Sequence, residues 1–569
     1  MQNIAWRNWN QEAFDEAGQT GKPVLLSIGA AWCHWCHVME SKTFADPRVI
    51  EAINKDFIPV RVDTDREPDI NTRYNMGGWP STVFLTAERD VLTGSTYMTP
   101  DQMLIVLDRV AVAYGEQIED LREKAKQARV STEETFKNTS GGTAKASDVG
   151  KVLEILRSSY DPQFGGFGAN QKFPHAIALQ LLLFSFESTG NEDDLKIVEN
   201  TLSCMMAGEI FDPVDGGMFR YATNREWTAP HFEKLLSDNA LIARVLLDAY
   251  RLTENDEYRE LATKIFRYME KHLSDPETGL FHGSQDADER YYGESAEERA
   301  KLSAPRVDSA LYVDSNAQVA QAYLKLYGIG KELTARDKAL RIVGNLNCMP
   351  RSEDGCLCHF IDKGVAGGFG VLSDAAQLVL ANVVASEATG DESYIRKTQE
   401  ILEDVFTEFG DESGAFYDVS EARAAERGIT RYTTPIEENA AMAVAFVKLA
   451  DLTQDEAYRL SAKKVLDALA GQFENYGIMG ASYGLALGIL DSTPLLVTIN
   501  AEPGTEEADA FIQSSLGVCG QNCTVRTVYR ETGEIAASIC LGATCRIRVT
   551  DPEEVAQALE DLAAERLTV

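Results

Sequence analysis

The residues best placed to do chemistry are Cys33-His34-Trp35-Cys36, set between the apolar run Val24–Gly29 and a helical stretch. A thiol in the first turn of a helix lies among free amide groups at the positive end of the dipole, which favours thiolate. Two cysteines separated by two residues close a disulfide with little backbone movement. Cys33, at an exposed mouth, is expected to attack, and Cys36 to resolve the mixed disulfide. His34, when protonated, favours the thiolate further, with Trp35 beside it. Downstream, Gly77-Gly78-Trp79-Pro80-Ser81 leads into a strand-like run at Thr82–Thr86. Trp79–Pro80 is therefore a candidate cis bond facing the dithiol. This pairing is far more specific than an isolated CxxC. An inert pair kept as a recognition module is one alternative. A metal site at Cys33, Cys36 and His37 is another, but no second CxxC or HxxxH completes four ligands. Cys356-Leu357-Cys358-His359 is too compact to form one alone, and no metal or other cofactor is expected.

A second constellation lies further on. His175, Arg220, Tyr221, His231, Glu233, Asp238, Asp286 and Asp288 fall in or just after glycine-containing loops. Aromatic rings beside carboxylates and histidines suit sugar chemistry: rings stack on pyranose faces, one carboxylic acid protonates a glycosidic oxygen, and a second carboxylate activates water. An epimerase would instead use histidines on both faces of a ring-opened sugar. The expected acid/base groups are His231 with Asp286 or Asp288. Arg220 and Tyr221, with His175, Glu233 and Asp238, are expected to hold the ligand in one cleft lined by Phe164, Phe167 and Phe219. The competing reading is that these residues cap helices and pack loops.

These groups sit in a chain of 569 residues, long enough for three to five domains at roughly 100–200 residues each. With 44% hydrophobic and 25% charged residues it has the composition of a folded globular protein. Its 89 acidic against 54 basic residues give a net charge of −35. That excess disfavours nucleic acid and anionic membrane surfaces as partners. No apolar run approaches the roughly 18 residues of a membrane span. Met1–Asn10 has neither the basic start nor the apolar core of a signal peptide. A cytoplasmic protein with mostly reduced thiols is the expectation.

Three regions separate by pattern. Residues 1–129 alternate buried strands (Val24–Gly29, Phe57–Asp63, Thr82–Thr86) with amphipathic helices, the last running from about Pro100 to Arg129, an α/β order. Residues 130–146 are polar and rich in Ser, Thr and Gly, as expected of a linker. Residues 147–490 read as about twelve helices. Acidic glycine loops (DPQFGGFG from Asp161, DPVDGGMF from Asp212, and four more) alternate with short charged turns such as TGNEDDL from Thr189 and TENDEY from Thr253. Helices joined by short turns run antiparallel, so all six glycine loops must share one end. Six such hairpins describe an (α/α)6 toroid, and an open helical solenoid is the alternative. Residues 491–569 return to α/β signals in a small domain with nothing that looks catalytic.

Several stretches together, KPVLLSIGAAWCHWCHVMESKTFADPRVIEAINKDFIPVRVD, GGWPSTVFLT, KFPH, DPVDGGMFRYATNREWTAPHFEKLLSDNA, SQDAD and the C-terminal CLGATC, resemble the thioredoxin-like family that includes spermatogenesis-associated protein 20. The resemblance implies a thioredoxin-like domain joined to a six-hairpin toroid like those of glycosidases and sugar epimerases. There are departures. Ser27 stands where thioredoxins usually place a buried aspartate, and Asp314-Ser315-Asn316 replaces the family's Trp-Asn-Gly. The functional expectation is a thiol–disulfide-active module fused to a carbohydrate-active or carbohydrate-binding toroid. Its partners would be a protein thiol or disulfide and a sugar-derived small molecule. The alternative is a catalytically quiet binding or quality-control protein using both folds as recognition surfaces.

Overall fold

The computed structural model describes residues 3–139, 141–330, 332–430, 432–529 and 533–567, with backbone alone for 132–139 and 563–567. The N-terminal sheet has the order β2-β1-β3-β4, where β1 is Val24–Gly29, β2 Ile58–Asp63, β3 Ser81–Leu85 and β4 Val91–Ser95. β1 runs parallel to β2 and antiparallel to β3, and β3 and β4 pair as neighbours. β1 is buried along nearly its whole length, which is why it reads as a continuous apolar run. Helix His34–Lys42 leaves its end, with Cys33 as the N-cap. The expected Pro100–Arg129 helix is two, Pro100–Glu116 and Ile118–Thr139, broken at Gln117. The second runs on into the stretch expected as linker, and the next helix starts at Ala146; Ser140 lies outside the described residues.

Twelve helices then alternate between two layers. The outer six are Ala146–Ser159, Glu192–Ala207, Asp256–Tyr268, Leu333–Asn347, Ser393–Glu408 and Glu456–Leu469. The inner six are Ala176–Thr189, Leu236–Thr253, Val313–Gly330, Leu372–Thr389, Ile436–Thr453 and Ala481–Asp491. Each inner helix packs on the next, and Ala481–Asp491 packs back on Ala176–Thr189, so the ring closes. Closure excludes the open solenoid.

The short turns share one local mechanism. Thr189, Thr253, Thr389 and Thr453 each donate a hydroxyl hydrogen to the carbonyl four residues back. Each then accepts the backbone N–H two residues on, which stops the helix and turns the chain. At the other end, Asn239, Asn316 and Asn439 each clamp the preceding glycine loop by bonding both N–H and C=O of one of its residues. These clamps fix the start of the inner helices.

The C-terminal domain repeats the topology of the first. Leu495–Asn500 runs parallel to Cys523–Val528 and antiparallel to Ala536–Leu541, which pairs with Thr544–Val549. It docks on the short-turn end of the toroid, through Lys448 to the Cys523 carbonyl (2.8 Å) and Arg251 to that of Val518 (3.3 Å). Six of the ten cysteines are paired, as Cys33–Cys36, Cys519–Cys523 and Cys540–Cys545. Among the described residues no helix is long and apolar enough to cross a membrane.

Candidate active site between the two folds

The N-terminal domain sits on the glycine-loop end of the toroid. The fifth long loop of the toroid packs Val419, Ala424 and Ile429 into that domain's hydrophobic core. Charged contacts surround that apolar seam: Arg423 with Asp69 (2.7 Å) and Glu67 (3.1 Å), Arg73 with Asp418 (2.6 Å), and Arg66 with Asp362 (2.8 Å).

Docking covers the dithiol. Cys33 is 4% exposed and Cys36 9%, packed with Ala30, Trp32, Trp79 and Leu235 of the toroid. The expected exposed Cys33 is therefore corrected: the face that thioredoxin-like folds leave open is pressed against the toroid rim. Trp79–Pro80 is cis. Trp79 donates its indole N–H to Asn71 (3.0 Å), and Trp32 to Asp65 (2.6 Å). Trp35 stays exposed, against Tyr97. The His34 ring reaches Glu289 at 3.7 Å, and His37 bonds Asp286 at 3.0 Å.

Beneath this lid lies a chamber of about 410 Å³, walled by both domains. Thr64, Asp65, Pro68 and Asn71 come from the lid. The toroid contributes Asp238, Asp314, His359, Glu437 and Glu438, with the neutral polar groups of Ser237, Gln318 and Gln377 among them. Burial pushes Asp238 up to about 6. Burial, with neighbouring Glu437, pushes Glu438 up to about 8, and burial, with Asp63, pushes Asp65 up to about 7. Burial opposes charge on His359, but Asp374 at 2.9 Å outweighs it and holds the imidazolium up to about 9. Glu438 is thus shifted to titrate above Asp238 on the same chamber wall. Such divergence equips a site for general acid/base work. Ligand atoms of Asp314, His359 and Asp374 lie within 4.8 Å of one another, close enough for a metal. Both nitrogens of His359 are already committed, however, to Asp374 and to the Asp65 carbonyl (2.7 Å).

Of the eight toroid residues singled out in sequence, only Asp238 lines this chamber. The single cleft expected around them is corrected, because each of the others meets a local partner first. Tyr221 is sandwiched between Phe173 and His231, 4.7 and 4.6 Å away and near-parallel, leaving neither face for a sugar. Arg220 stacks over Trp32 and Trp79, bridging the domains instead of positioning ligand. His175 precedes an inner helix against Phe167 and Phe173, and burial depresses it to about 4. Glu233 is buried beside His231 (3.6 Å). Asp288 caps the short helix Glu289–Tyr292, and Asp286 holds His37. Phe164 carries Arg225, and Phe219 packs on Phe232 and Tyr292.

The chamber residues that were missed do carry a sequence signal. LSDNA at Leu236, VDSNA at Val313, LSDAA at Leu372 and IEENA at Ile436 are one repeated helix start. Aligning them puts Asp238 in register with Ser315, Asp374 and Glu438, and puts Asp314 in register with Glu437.

Comparison with known proteins matches this division. Residues 1–134 match the family Thioredox_DsbH, described as a protein of unknown function, DUF255. The first 134 residues are thus similar to this thioredoxin-like family. Residues 143–302 match glycosyl hydrolase family 88. Human spermatogenesis-associated protein 20 is 31% identical over 312 residues, 50% of this chain and 39% of that protein. The matched region thus spans about two-fifths of this relative's length. Thiol:disulfide interchange protein DsbD of Campylobacter jejuni strain RM1221 is 29% identical over 99 residues, 17% of this chain and 18% of its own. Among solved structures, cellobiose 2-epimerase from Bacillus thermoamylovorans B4167 covers 57% of this chain and 87% of its own at 15% identity, with a TM-score of 0.47.

Proposed function

We propose that the chamber is the reaction site of a carbohydrate-active toroid, closed by a lid that carries a thiol–disulfide pair. The observation that carries this reading is the convergence of Asp65, Asp238, Asp314, Glu437, Glu438 and His359 from two folds on one cavity. Glu438 serves as proton donor and Asp238 as base. The serines and glutamines on the walls supply hydrogen bonds to hydroxyl groups. An acid-lined cavity repels anions, so the ligand is a neutral or amino sugar, not a uronate or sugar phosphate. The match to a glycosyl hydrolase family supports the carbohydrate class, and the likeness to a thiol:disulfide interchange protein supports the redox one. Fold alone assigns neither reaction.

Thermal-shift screening of the full chain against neutral, amino and phosphorylated sugars tests this reading. A hit among neutral or amino sugars, lost in Asp238→Asn and Glu438→Gln, is expected. Binding confined to anionic sugars, or unchanged in both variants, would sink it. Burial of the dithiol favours a second reading for the N-terminal domain alone, that it acts as a lid and recognition surface with little turnover.

A further inference from the structure

Deeper along the axis the inner helices enclose a second cavity of about 220 Å³. It shares Leu241, Gln318, Gln377 and Glu437 with the chamber, and its far wall includes Cys519 and Cys523 of the C-terminal domain. These cysteines are bonded to each other and are 8% and 2% exposed. The toroid is therefore closed at both ends by sheets of the same topology, and each presents a cysteine pair.

Three groups in this cavity lack the partners their surroundings call for: Gln318, whose amide oxygen has no donor, Gln180 and Arg244. Gln180 is 2% exposed, and its amide nitrogen has no acceptor. Arg244 bonds the neutral amide of Gln321 at 3.1 Å, and among the described residues it forms no ion pair within 4 Å. Asp248, the acid whose charge acts on it, is paired with Lys325 and Arg251, and of the other two acids on the wall, Glu387 and Glu437, the first is paired with Lys448. A guanidinium and a spare amide donor facing one cavity suit a carboxylate.

We propose that Cys519–Cys523 is a second thiol–disulfide site, reduced by a low-molecular-weight thiol that bears a carboxylate and occupies the axial cavity. The thiolate attacks the sulfur of Cys519, forming a mixed disulfide and expelling Cys523 as thiolate. A second thiolate attacks the ligand sulfur, forming the small-molecule disulfide and releasing Cys519. Two thiols lose two electrons and two protons, and the protein gains two thiols. The polarity follows from the surroundings. Cys519 ends the helix Glu506–Val518, where the carbonyl end of the dipole disfavours thiolate. Cys523 lies away from that helix end, and the Lys448 ammonium on its carbonyl is itself paired with Glu387, so the helix end alone sets the polarity. This site does not depend on the chamber's chemistry.

The test treats the unaltered full chain with 3-mercaptopropionate or with 2-mercaptoethanol at equal thiolate concentration. Acid quenching, alkylation and peptide mass spectrometry then follow Cys519 and Cys523 separately from the other pairs. The acidic thiol should open this pair at least tenfold faster, despite a net charge of −35 that repels it. Propionate should slow that reaction, and Arg244→Gln should erase the preference while Arg244→Lys keeps part of it. Equal or faster reduction by the neutral thiol, no effect of propionate on the unaltered chain, or opening only in denaturant would overturn the proposal.

Discussion

Arg423→Ala should loosen the lid and quicken reduction of Cys33–Cys36. The Arg423 side chain is 1% exposed, as is that of its partner Asp69. Removing one member of a buried ion pair costs about 3–5 kcal/mol, because the other charge is left buried without its counter-ion. Here Glu67 keeps Arg427 at 2.9 Å and Arg73 stays close, so a fair range is about 2–4 kcal/mol. In the undocked state Asp69 is solvated, so that cost falls on the closed form alone. At about 1.4 kcal/mol per decade, the open population rises roughly 30-fold to 1,000-fold. With dilute dithiothreitol, reduction of a covered disulfide tracks the open population, so the rate should rise by the same factor. Quenched alkylation with peptide mass spectrometry measures it, and the Cys519–Cys523 peptides serve as internal reference. A variant that melts earlier yet reduces Cys33–Cys36 at the original rate would refute the reasoning, since the dithiol would then be reached without undocking.

Asp286→Asn removes the acceptor that raises His37; that ring is 45% exposed, so the contact is worth under about 1 kcal/mol and the rate should change less than fivefold. Because the pair raises His37, its help to docking is full at acid pH and fades as pH rises through the raised value, and the variant should lose that pH dependence in reduction rates corrected for reductant thiolate. Glu438→Gln removes a half-buried acid whose pKa of about 8 lies above its unfolded value, so unfolding free energy of the parent should fall from about pH 5 to 8 relative to the variant, by at most roughly 1.4 kcal/mol per pH unit; parallel urea-denaturation profiles would contradict this. His359→Gln strands the buried Asp374 and should cost about 3–5 kcal/mol, part of it recovered in His359→Gln/Asp374→Asn; a fully additive double mutant would exclude the coupling.

Much of the architecture was legible because it rests on local rules. β1 and helix His34–Lys42 begin and end where apolar runs and the cysteine cap predict. The twelve-helix alternation follows from glycine loops and Thr-based turns that act within four or five residues. The site was legible only in part. Asp238 belongs to it, but His231, Asp286 and Asp288 were singled out by residue type, and type does not say which partner a side chain meets first. Asp288 meets the N–H of Tyr291 three residues on, and Tyr221 meets two rings across its own loop end.

By itself the sequence determined the thioredoxin-like region, the dithiol, the Trp79–Pro80 hairpin and the six antiparallel pairs with their long loops at one end. Periodicity, capping and turn chemistry are short-range, and each leaves its mark in adjacent residues. Only the tertiary structure decided that the lid buries its own dithiol, and that Asp65 joins Asp238 and Glu438 on one cavity. It alone decided that Cys519–Cys523 faces the toroid axis. Those outcomes depend on how closed surfaces dock, through Arg423 on Asp69 and Ile429 in another domain's core, across separations of more than 300 residues that leave no local pattern.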